Sequence, residues 1–277
     1  MAKLHFLKSV TDTINTSFIL ESGSSLLVVD GGFPSEADYM YEYLKGLGGH
    51  VSGWFLTHFH DDHVCCLHEV LSKHADITVD KIFCNFPSDE FIIHHSPMQD
   101  FISSEEMLRR FREDIALRGI ELITVAREDV YTFDGGNVIA RILRTPDEAI
   151  AANPINNSSI VFRFEVDGKS LLFLGDLGVE GGHQLLEITP PELLKADFVQ
   201  MAHHGQEGVT KECYAAIRPT YCLWPTPTWL WENRGPGGYD TGHFQTVVVR
   251  GWMSELRCVK RHYIMIDGTQ IIDLTEV

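Results

Sequence analysis

The run Thr57-His58-Phe59-His60-Asp61-Asp62-His63 has the form H-x-H-x-D-H and places four potential metal ligands within six residues. An apolar segment at 51–56 leads into it, and an apolar pattern typical of a helix begins at Val64. A lone histidine is usually a surface or core residue. Four ligand-type side chains at the junction of a strand and a helix instead predict a metal site.

The spacing of the four side chains indicates two metal positions. His58 and His60 share one face at the strand end, because side chains alternate along an extended chain. Asp62 and His63 follow where the chain turns into the helix, and they are aimed at a second position nearby. Two metals held close together can generate a hydroxide and clamp the oxygens of a substrate. The spacing therefore predicts hydrolytic chemistry.

The composition is that of a soluble globular protein. The chain has 277 residues, of which 44% are hydrophobic and 22% charged, and this length suits one large domain or two small ones. No apolar run is long enough to cross a bilayer, and the first residues lack the pattern of a signal peptide. We therefore expect a cytoplasmic protein that does not contact a membrane.

The six cysteines show no C-x-x-C spacing, and most lie within apolar runs. They are predicted to be buried free thiols in a reducing compartment. Cys65 and Cys66 directly follow the histidine motif, so a ligand role for them is the alternative.

The formal net charge of −17 bears on the class of substrate. An acidic surface repels phosphate backbones, so non-specific binding of long nucleic acid is not expected. Bound divalent cations would offset part of this charge locally. The charge favours a small-molecule or locally bound substrate.

Strand and helix patterns alternate along the chain without repeats or linkers. We expect an α/β fold with one domain, 1–277, in which two mixed sheets pack face to face with helices outside. An inserted irregular loop is predicted at 86–102, and a Gly/Pro-rich aromatic loop at 224–243. Helices are predicted at 35–46, 64–74, 103–118, 190–196, 210–217 and 244–256, and strands at 4–8, 17–30, 51–57, 80–85, 120–126, 137–144, 158–166, 169–175, 197–202, 220–224, 259–265 and 270–274.

Three further segments supply candidate partners for the histidine motif. Asp176 follows a glycine at the end of an apolar strand, where a carboxylate can bridge two cations; the alternative is a simple turn aspartate. His203 and His204 end another apolar strand, and we favour His204 as the ligand and His203 as a catalytic residue that contacts either the substrate or a metal ligand. Asp30 ends an earlier strand, where it either accepts a hydrogen bond from a ligand imidazole or serves only the turn.

Taken in order, Asp30-Gly31-Gly32, the histidine motif, Leu174-Gly175-Asp176 and His203-His204-Gly205 resemble the metallo-β-lactamase superfamily over most of the chain, to about residue 226. The resemblance implies a four-layer αββα sandwich with a binuclear metal centre. It implies that Asp62 also orients the nucleophile. The implied ligands are His58, His60 and Asp176 for the first metal, and Asp62, His63, Asp176 and His204 for the second.

A closer resemblance comes from the segment Asn156-Asn157-Ser158-Ser159-Ile160-Val161 together with the later motifs. This combination is similar to the β-lactamase-like domain of bacterial competence DNA-uptake proteins and to phosphorylcholine esterases. The resemblance implies phosphodiester hydrolysis. Asn157 is expected to contact the substrate.

One departure from the superfamily pattern concerns the first metal. Lactamases, glyoxalase-type thioesterases and lactonases usually carry a further histidine in a Gly-His pair before the aspartate strand. Thr145-Pro146-Asp147 stands in the corresponding place here. Either Asp147 replaces that histidine, or the first metal keeps an open, water-filled position. The competence-type relatives share this lack, which favours phosphoester chemistry over a β-lactam or glutathione-thioester role.

The aromatic loop 224–243 is predicted to form a wall facing the substrate. Arg234 could meet a phosphate or carboxylate, and the aromatic rings could stack on a base or enclose a quaternary ammonium. The alternative is a loop that packs on its own protein or on a neighbouring subunit, giving an oligomer. The candidate substrate-binding residues of this loop are Trp229, Trp231, Arg234, Tyr239 and His243.

These observations lead to a hypothesis with two alternatives. The leading hypothesis is a metal-dependent hydrolase of a phosphoester or phosphodiester, in which two divalent ions act through a bridging hydroxide. Zinc suits the imidazole-rich ligand set, and manganese or iron are alternatives. The alternatives in function are a lactone, amide or thioester hydrolase of the same fold, and a non-catalytic metal-binding interaction module.

Overall fold

The computed structural model describes residues 1–277, and six strands of its first half form a seven-stranded mixed sheet with the last strand of the chain. In spatial order this sheet contains β16 (Gln270–Asp273), β1 (Lys3–Phe6), β2 (Ser17–Ser22), β3 (Ser25–Asp30), β5 (Gly53–Phe55), β7 (Lys81–Cys84) and β8 (Glu121–Thr124). Strands β3, β5, β7 and β8 are parallel, whereas the pairs from β16 to β3 are antiparallel. A separate parallel pair joins β4 (His50–Val51) to β6 (Thr78–Val79).

The second sheet also has seven strands. In spatial order these are β15 (Arg261–Ile264), β14 (Tyr221–Trp224), β13 (Phe198–Gln200), β12 (Lys169–Phe173), β11 (Val161–Val166), β10 (Val138–Arg144) and β9 (Val130–Phe133). The pairs from β12 to β15 are parallel and those from β9 to β12 antiparallel. The predicted hairpin between β11 and β12 is confirmed. Its turn residues Asp167 and Gly168 both have positive φ, 49° and 75°, as a tight hairpin turn requires.

Nine helices accompany the sheets. None of them combines the length and the apolar character that crossing a membrane would need. They are α1 (Ala37–Gly46), α2 (Asp61–Lys73), α3 (Asp89–His95), α4 (Ser104–Arg118), α5 (Val179–Ile188), α6 (Pro191–Leu194), α7 (Lys211–Ile217), α8 (Thr228–Trp231) and α9 (Thr246–Glu255).

Three apolar clusters separate four structural layers. Within β3, Leu26 and Val28 belong to the cluster shared with α1, α2 and α4, whereas Leu27 and Val29 belong to the cluster between the sheets. In β12, Leu172 belongs to the cluster shared with α5, α7 and α9, and its neighbours contact the other sheet. Because both faces of each sheet are covered, the central strands read as continuous apolar runs. The predicted αββα sandwich is confirmed.

Several elements differ from the sequence-based expectation. The segment 86–102, predicted to be irregular, contains α3. Ser88 caps this helix by accepting a hydrogen bond from the Phe91 amide, and Ile92 is fully buried. Helix α5 and strand β9 were not predicted at all. The predicted helix at 103–118 is confirmed as α4, which Ser103 caps through the Glu106 amide.

Candidate metal centre

The predicted ligand segments meet at one edge of the sandwich. Asp30 ends β3 and the histidine motif follows β5, while Asp176 follows β12 and the His203-His204 pair follows β13. These strands are parallel neighbours within their sheets, so their carboxyl ends lie side by side. Ligands commonly bind outside the carboxyl ends of parallel strands. The site therefore draws on both sheets.

Four buried side chains at this edge could hold one metal ion. Asp62, His63, Asp176 and His204 each place a ligand atom within 4.8 Å of the others. Asp176 Oδ2 lies 3.4 Å from His63 Nε2 and 3.2 Å from His204 Nε2. Asp62 Oδ2 lies 3.4 Å from His63 Nε2 and 3.0 Å from His204 Nε2. These are the four residues that the sequence predicts for the second metal.

Hydrogen bonds fix which nitrogen each imidazole presents to this cluster. His63 Nδ1 donates to Asp30 Oδ2 over 2.8 Å, and His204 Nδ1 donates to the Pro225 carbonyl over 3.2 Å. Both rings therefore turn Nε2 towards Asp62 and Asp176, as metal-binding histidines generally do when their other nitrogen is held. The structure thus places Asp30 where the sequence predicts it, against a candidate ligand imidazole.

His58 and His60 form a second, smaller group beside the same carboxylate. Thr57 Oγ1 donates to Asp30 Oδ2 over 2.8 Å and lies 3.2 Å from His58 Nδ1, so His58 Nε2 is turned towards His60. That nitrogen lies 3.0 Å from His60 Nδ1 and 4.0 Å from Asp176 Oδ2. His58 Nε2 therefore contacts the His60 imidazole and lies near the shared carboxylate, at the predicted first position.

The buried carboxylates of the centre require positive charge. Burial by itself raises the pKa of Asp62 and Asp176, but the imidazoles of His63 and His204 outweigh burial and hold both pKa values well below the usual range. Burial lowers the pKa of His204, yet the two carboxylates raise it to about 9. Without a metal, protons on the imidazoles supply the compensating charge.

A divalent cation fits this arrangement. Asp176 Oδ1 and His63 Nε2 are buried without a hydrogen-bond partner. Buried polar atoms are rarely left unpaired, because the loss of hydration is costly. Imidazole and carboxylate donors at such distances are the set that Zn²⁺, Mn²⁺ and Fe²⁺ accept. The residues present therefore fit a divalent metal ion.

Two residues that the sequence analysis missed hold Asp176 in place. Ser159 Oγ accepts a hydrogen bond from the Asp176 amide over 3.0 Å. Gln200 Oε1 accepts from the amides of Leu174 and Gly175, and Gln200 Nε2 donates to the Gly175 and Met201 carbonyls. Gln200 is fully buried, so its amide must form hydrogen bonds, here with the backbone. The position of a glutamine at the end of an apolar strand was the sequence signal that could have identified this role.

The His203-His204 pair lies in a turn, Ala202–Gly205, and not on the strand that was predicted. Both residues are left-handed, with φ of 50° and 54°. This turn buries His204 against the carboxylates and leaves His203 half-buried, with its Nε2 4.0 Å from Asp176 Oδ2. Such strained backbone persists where the surroundings hold it and is frequent at functional sites. The preference for His204 as the ligand agrees with this geometry.

The structure does not bring Asp147 into the centre. Its Oδ1 accepts a hydrogen bond from the Ala149 amide and its Oδ2 one from Gln184 Nε2. Gln184 Oε1 in turn accepts from the buried Arg144, so the carboxylate serves a structural network. The prediction that Asp147 replaces the missing histidine is wrong.

Asn157 also has a structural position. It is fully buried, and its Oδ1 accepts hydrogen bonds from the Gly178 and Gly181 amides at the start of α5. Its Nδ2 donates to the Ala152 carbonyl and to Glu180. The expectation that Asn157 contacts substrate is therefore contradicted. Its neighbour Asn156, which was not predicted to be a site residue, lines the cavity of the centre.

Most of the aromatic loop packs on the protein itself. Trp229 Nε1 donates to the Asp12 carbonyl, and the ring of Trp231 stacks under Arg250, whose guanidinium carbon lies 3.9 Å from the ring centroid. Arg234 is exposed and pairs with Glu232. The predicted substrate contacts of Trp229, Trp231 and Arg234 are not supported by these positions, because their polar groups and rings are already engaged.

Tyr239 and His243 are exposed, and only His243 borders a cavity near the centre. Two cavities open there and share His203 as a common wall. The first, about 310 Å³, is lined by His60, Asp62, Asn156, Asp176 and His203. The second, about 360 Å³, is lined by Glu180, His203, Glu207, His243 and Phe244.

The cysteines take no part in the centre. All six are free, and Cys65 Sγ donates to the Met107 sulfur within the core. Burial raises the pKa of the Cys65 thiol to about 12, so it is protonated at neutral pH. The prediction of free thiols is confirmed.

Comparison with known proteins adds a family match. The model of the metallo-beta-lactamase superfamily matches residues 10–79. ComE operon protein 3 of Bacillus subtilis (strain 168) is 30% identical over 160 residues, which cover 57% of this chain and 17% of that protein. The chain therefore corresponds to a minor part of the length of that relative.

Solved structures share the fold at low sequence identity. The metallo-beta-lactamase fold protein YhfI from Bacillus subtilis aligns with a TM-score of 0.60 and 11% identity, over 99% of this chain and 100% of that one. CmlA, a diiron beta-hydroxylase from Streptomyces venezuelae, aligns with a TM-score of 0.59 and 13% identity, over 99% of this chain and 54% of that one. This chain has the metallo-β-lactamase fold, and the resemblance to the metallo-β-lactamase superfamily that its motifs predict is confirmed.

Proposed function

We propose that the protein is a metal-dependent hydrolase of a phosphoester, with a phosphodiester as the preferred substrate, and that two divalent ions share Asp176. The observation that carries this proposal is the position of Asp176 Oδ2, which lies within 4.0 Å of an imidazole nitrogen of each of the two groups. One carboxylate between two sets of ligand atoms suits a pair of ions and not a single one.

Divalent ions bound there would neutralise charge on the phosphoryl oxygens and lower the pKa of water. The protein contributes fixed positions. His63 and His204 present Nε2 because Asp30 and Pro225 hold their other nitrogens. Asp62, between these two rings, is placed to accept a proton or to orient the attacking water.

His203 is the side chain best placed to meet the substrate. It borders both cavities, and its Nδ1 donates to the Glu207 carbonyl over 2.7 Å. That bond fixes the ring and directs Nε2 to the cavity of the centre. We infer that His203 helps to position the substrate at the place where the two cavities meet.

Two features support a phosphoester over a lactam or thioester. The first position has no third imidazole, in agreement with the motif pattern of the phosphodiesterase-type relatives. The cavity beside it is lined mainly by polar side chains, which favours a polar substrate over an apolar one; bound divalent ions would have to offset the charge of its four aspartates before a phosphate could enter. The net charge of −17 supports a small or locally presented substrate and not a long nucleic acid.

Hydrolysis of bis-p-nitrophenyl phosphate by protein loaded with Zn²⁺, Mn²⁺ or Fe²⁺ tests the proposal. We expect turnover by the wild type and a loss of about 10³-fold or more for Asp176→Ala, as for removal of an essential group. Asp38→Ala, an exposed aspartate of α1, is the matched control and should retain activity.

Activity that survives Asp176→Ala would contradict the proposed centre. Turnover of lactones or thioesters without turnover of the phosphodiester would contradict the substrate class. If no metal-loaded form hydrolyses any of these compounds, a non-catalytic binding module becomes the better account.

A further inference from the structure

Asn156 lines the cavity of the metal centre and has a buried, unpaired amide oxygen. The residue is 5% exposed, and its Oδ1 is buried without a hydrogen-bond partner. It lines the cavity together with His60 and Asp176, which belong to the predicted first metal position. A buried amide oxygen without a partner indicates that something else completes it.

The surrounding hydrogen bonds fix the orientation of this amide. The Glu207 carbonyl can only accept, so His203 Nδ1 carries the proton of their 2.7 Å hydrogen bond. With that proton on Nδ1, the other ring nitrogen, Nε2, can accept a hydrogen bond. Asn156 Nδ2 lies 3.3 Å from that nitrogen and donates to it. Oδ1 is therefore the free atom of Asn156, and the lone pair of His203 Nε2 is already engaged.

The two metal positions differ in the number of ligands. The second position has four side chains, Asp62, His63, Asp176 and His204. The first has His58, His60 and the shared Asp176 only, because Asp147 is bound elsewhere. One protein ligand is lacking there, and Asn156 lines the same cavity.

We propose that Asn156 Oδ1 is the missing ligand of the first ion, in place of the histidine found in most of the superfamily. This inference rests on the two-ion centre of the proposed function, but not on which bond the centre hydrolyses. An amide oxygen is a neutral, hard donor, as found in sites for Mn²⁺ and Mg²⁺, whereas imidazole suits Zn²⁺. The first position therefore binds its ion more weakly than the second and discriminates less in favour of zinc.

Titration of metal-free protein with Mn²⁺, followed by electron paramagnetic resonance, tests the assignment without any activity measurement. The wild type should bind two ions in sequence, and the second equivalent should give the spectrum of a spin-coupled pair. Asn156→Ala should bind the first Mn²⁺ ion as the wild type does. It should bind the second Mn²⁺ ion about 10–100-fold more weakly and so lose the spectrum of the spin-coupled pair. The retained first ion shows that the variant is folded.

Two further variants sharpen the test. Asn156→Asp keeps the shape of the side chain and adds a negative charge, so the variant should bind the second Mn²⁺ ion more tightly than the wild type does. Asn153→Gly is the matched control, because Asn153 is exposed, has a φ of 40° that glycine tolerates, and lines the other cavity. It should bind both ions as the wild type does.

The outcomes separate the two proposals. If the wild type binds two coupled ions and Asn156→Ala does so with unchanged affinity, the assignment of Asn156 is wrong while the two-ion centre stands. If the wild type binds only one ion, the two-ion centre fails, and the assignment fails with it.

Discussion

Asp176 is the residue on which both groups of imidazoles converge. Its Oδ2 lies 3.2 Å from His204 Nε2, 3.4 Å from His63 Nε2 and 4.0 Å from His58 Nε2. Its Oδ1 is buried and unpaired. In the metal-free protein this concentration of negative charge is balanced by protons, so proton binding and metal binding compete at the same nitrogens.

This competition predicts how stability depends on pH. The pKa of His204 is about 9 in the folded protein against an ordinary 6.5, so the folded state holds a proton that the unfolded chain loses between these values. The stabilisation is complete below pH 6.5 and is lost as the pH rises through 9. We expect the unfolding free energy of metal-free protein to fall by roughly 1–3 kcal/mol over this range, measured by urea denaturation.

The unfolding free energy of metal-loaded protein should fall less over the same pH range, because the ion occupies the imidazole nitrogen to which the proton would bind. His204→Gln removes one titrating group and should lessen the fall in the metal-free protein, in which His63, whose pKa is also raised well above its usual value, still titrates. An equal fall in the wild type and in this variant would contradict the raised pKa of His204.

The candidate ligands could be predicted from the sequence because the motifs and their spacing contain them directly. His58, His60, Asp62, His63, Asp176 and His204 all lie at the predicted edge. Asp147 and Asn157 were misassigned because their partners, Gln184 and the amides of Gly178 and Gly181, come from a helix that the sequence did not indicate. Hydrogen bonds of this kind depend on tertiary contacts that no local pattern reveals.

At the scale of elements, short turns after the strands position the ligands. Gly175 precedes Asp176 with a φ of 57°, and a Cβ there would lie 2.8 Å from both Ser159 Oγ and Thr57 Cβ. Glycine is needed at this position for its backbone conformation and also for the close approach of the first sheet.

Replacement of Gly175 should therefore lower the free energy of unfolding by more than backbone strain alone would. Gly168→Ala is the matched control, because Gly168 has a φ of 75° and open space around a Cβ. We expect Gly168→Ala to cost about 1–2 kcal/mol, and Gly175→Ala roughly 2 kcal/mol more from the clash, together with weaker metal binding. Chemical denaturation of both variants measures the difference, and equal losses would show that the close approach does not matter.

The same kind of packing requirement explains why helix α5 was not predicted from the sequence. Gly181 and Gly182 lie in its interior and lower its local helix propensity. Both are needed for packing, since a Cβ would lie 2.3 Å from Leu177 at Gly181 and 3.0 Å from Val209 at Gly182. The predicted helix α4 has no such conflict, because its cap, its apolar spacing and its terminal glycine all agree.

At the scale of the whole molecule, the centre joins the two halves of the sandwich. Asp62 and His63 belong to the first sheet and its helices, whereas Asp176 and His204 follow strands of the second. The order of motifs along the chain was enough to predict this αββα arrangement. The wall of the cavity was not predictable, because the aromatic loop packs inward on Arg250 and Asp12.

An ion bound across the two halves should stabilise the whole fold. A site filled at 100 times its Kd adds about 2.7 kcal/mol, which for a chain of this size raises Tm by about 5–10 °C. Differential scanning calorimetry with and without Zn²⁺ or Mn²⁺ measures the shift. Asp176→Ala should show little of it, and a full shift in that variant would place the stabilising ion elsewhere.

Anomalous diffraction from crystals grown with Mn²⁺ tests the central claim most directly, because it locates each ion. Two peaks are predicted, one among Asp62, His63, Asp176 and His204, and the other beside His58, His60 and Asp176. A single peak would contradict the two-ion centre, and the absence of any peak at this edge of the sandwich would contradict the metal centre itself.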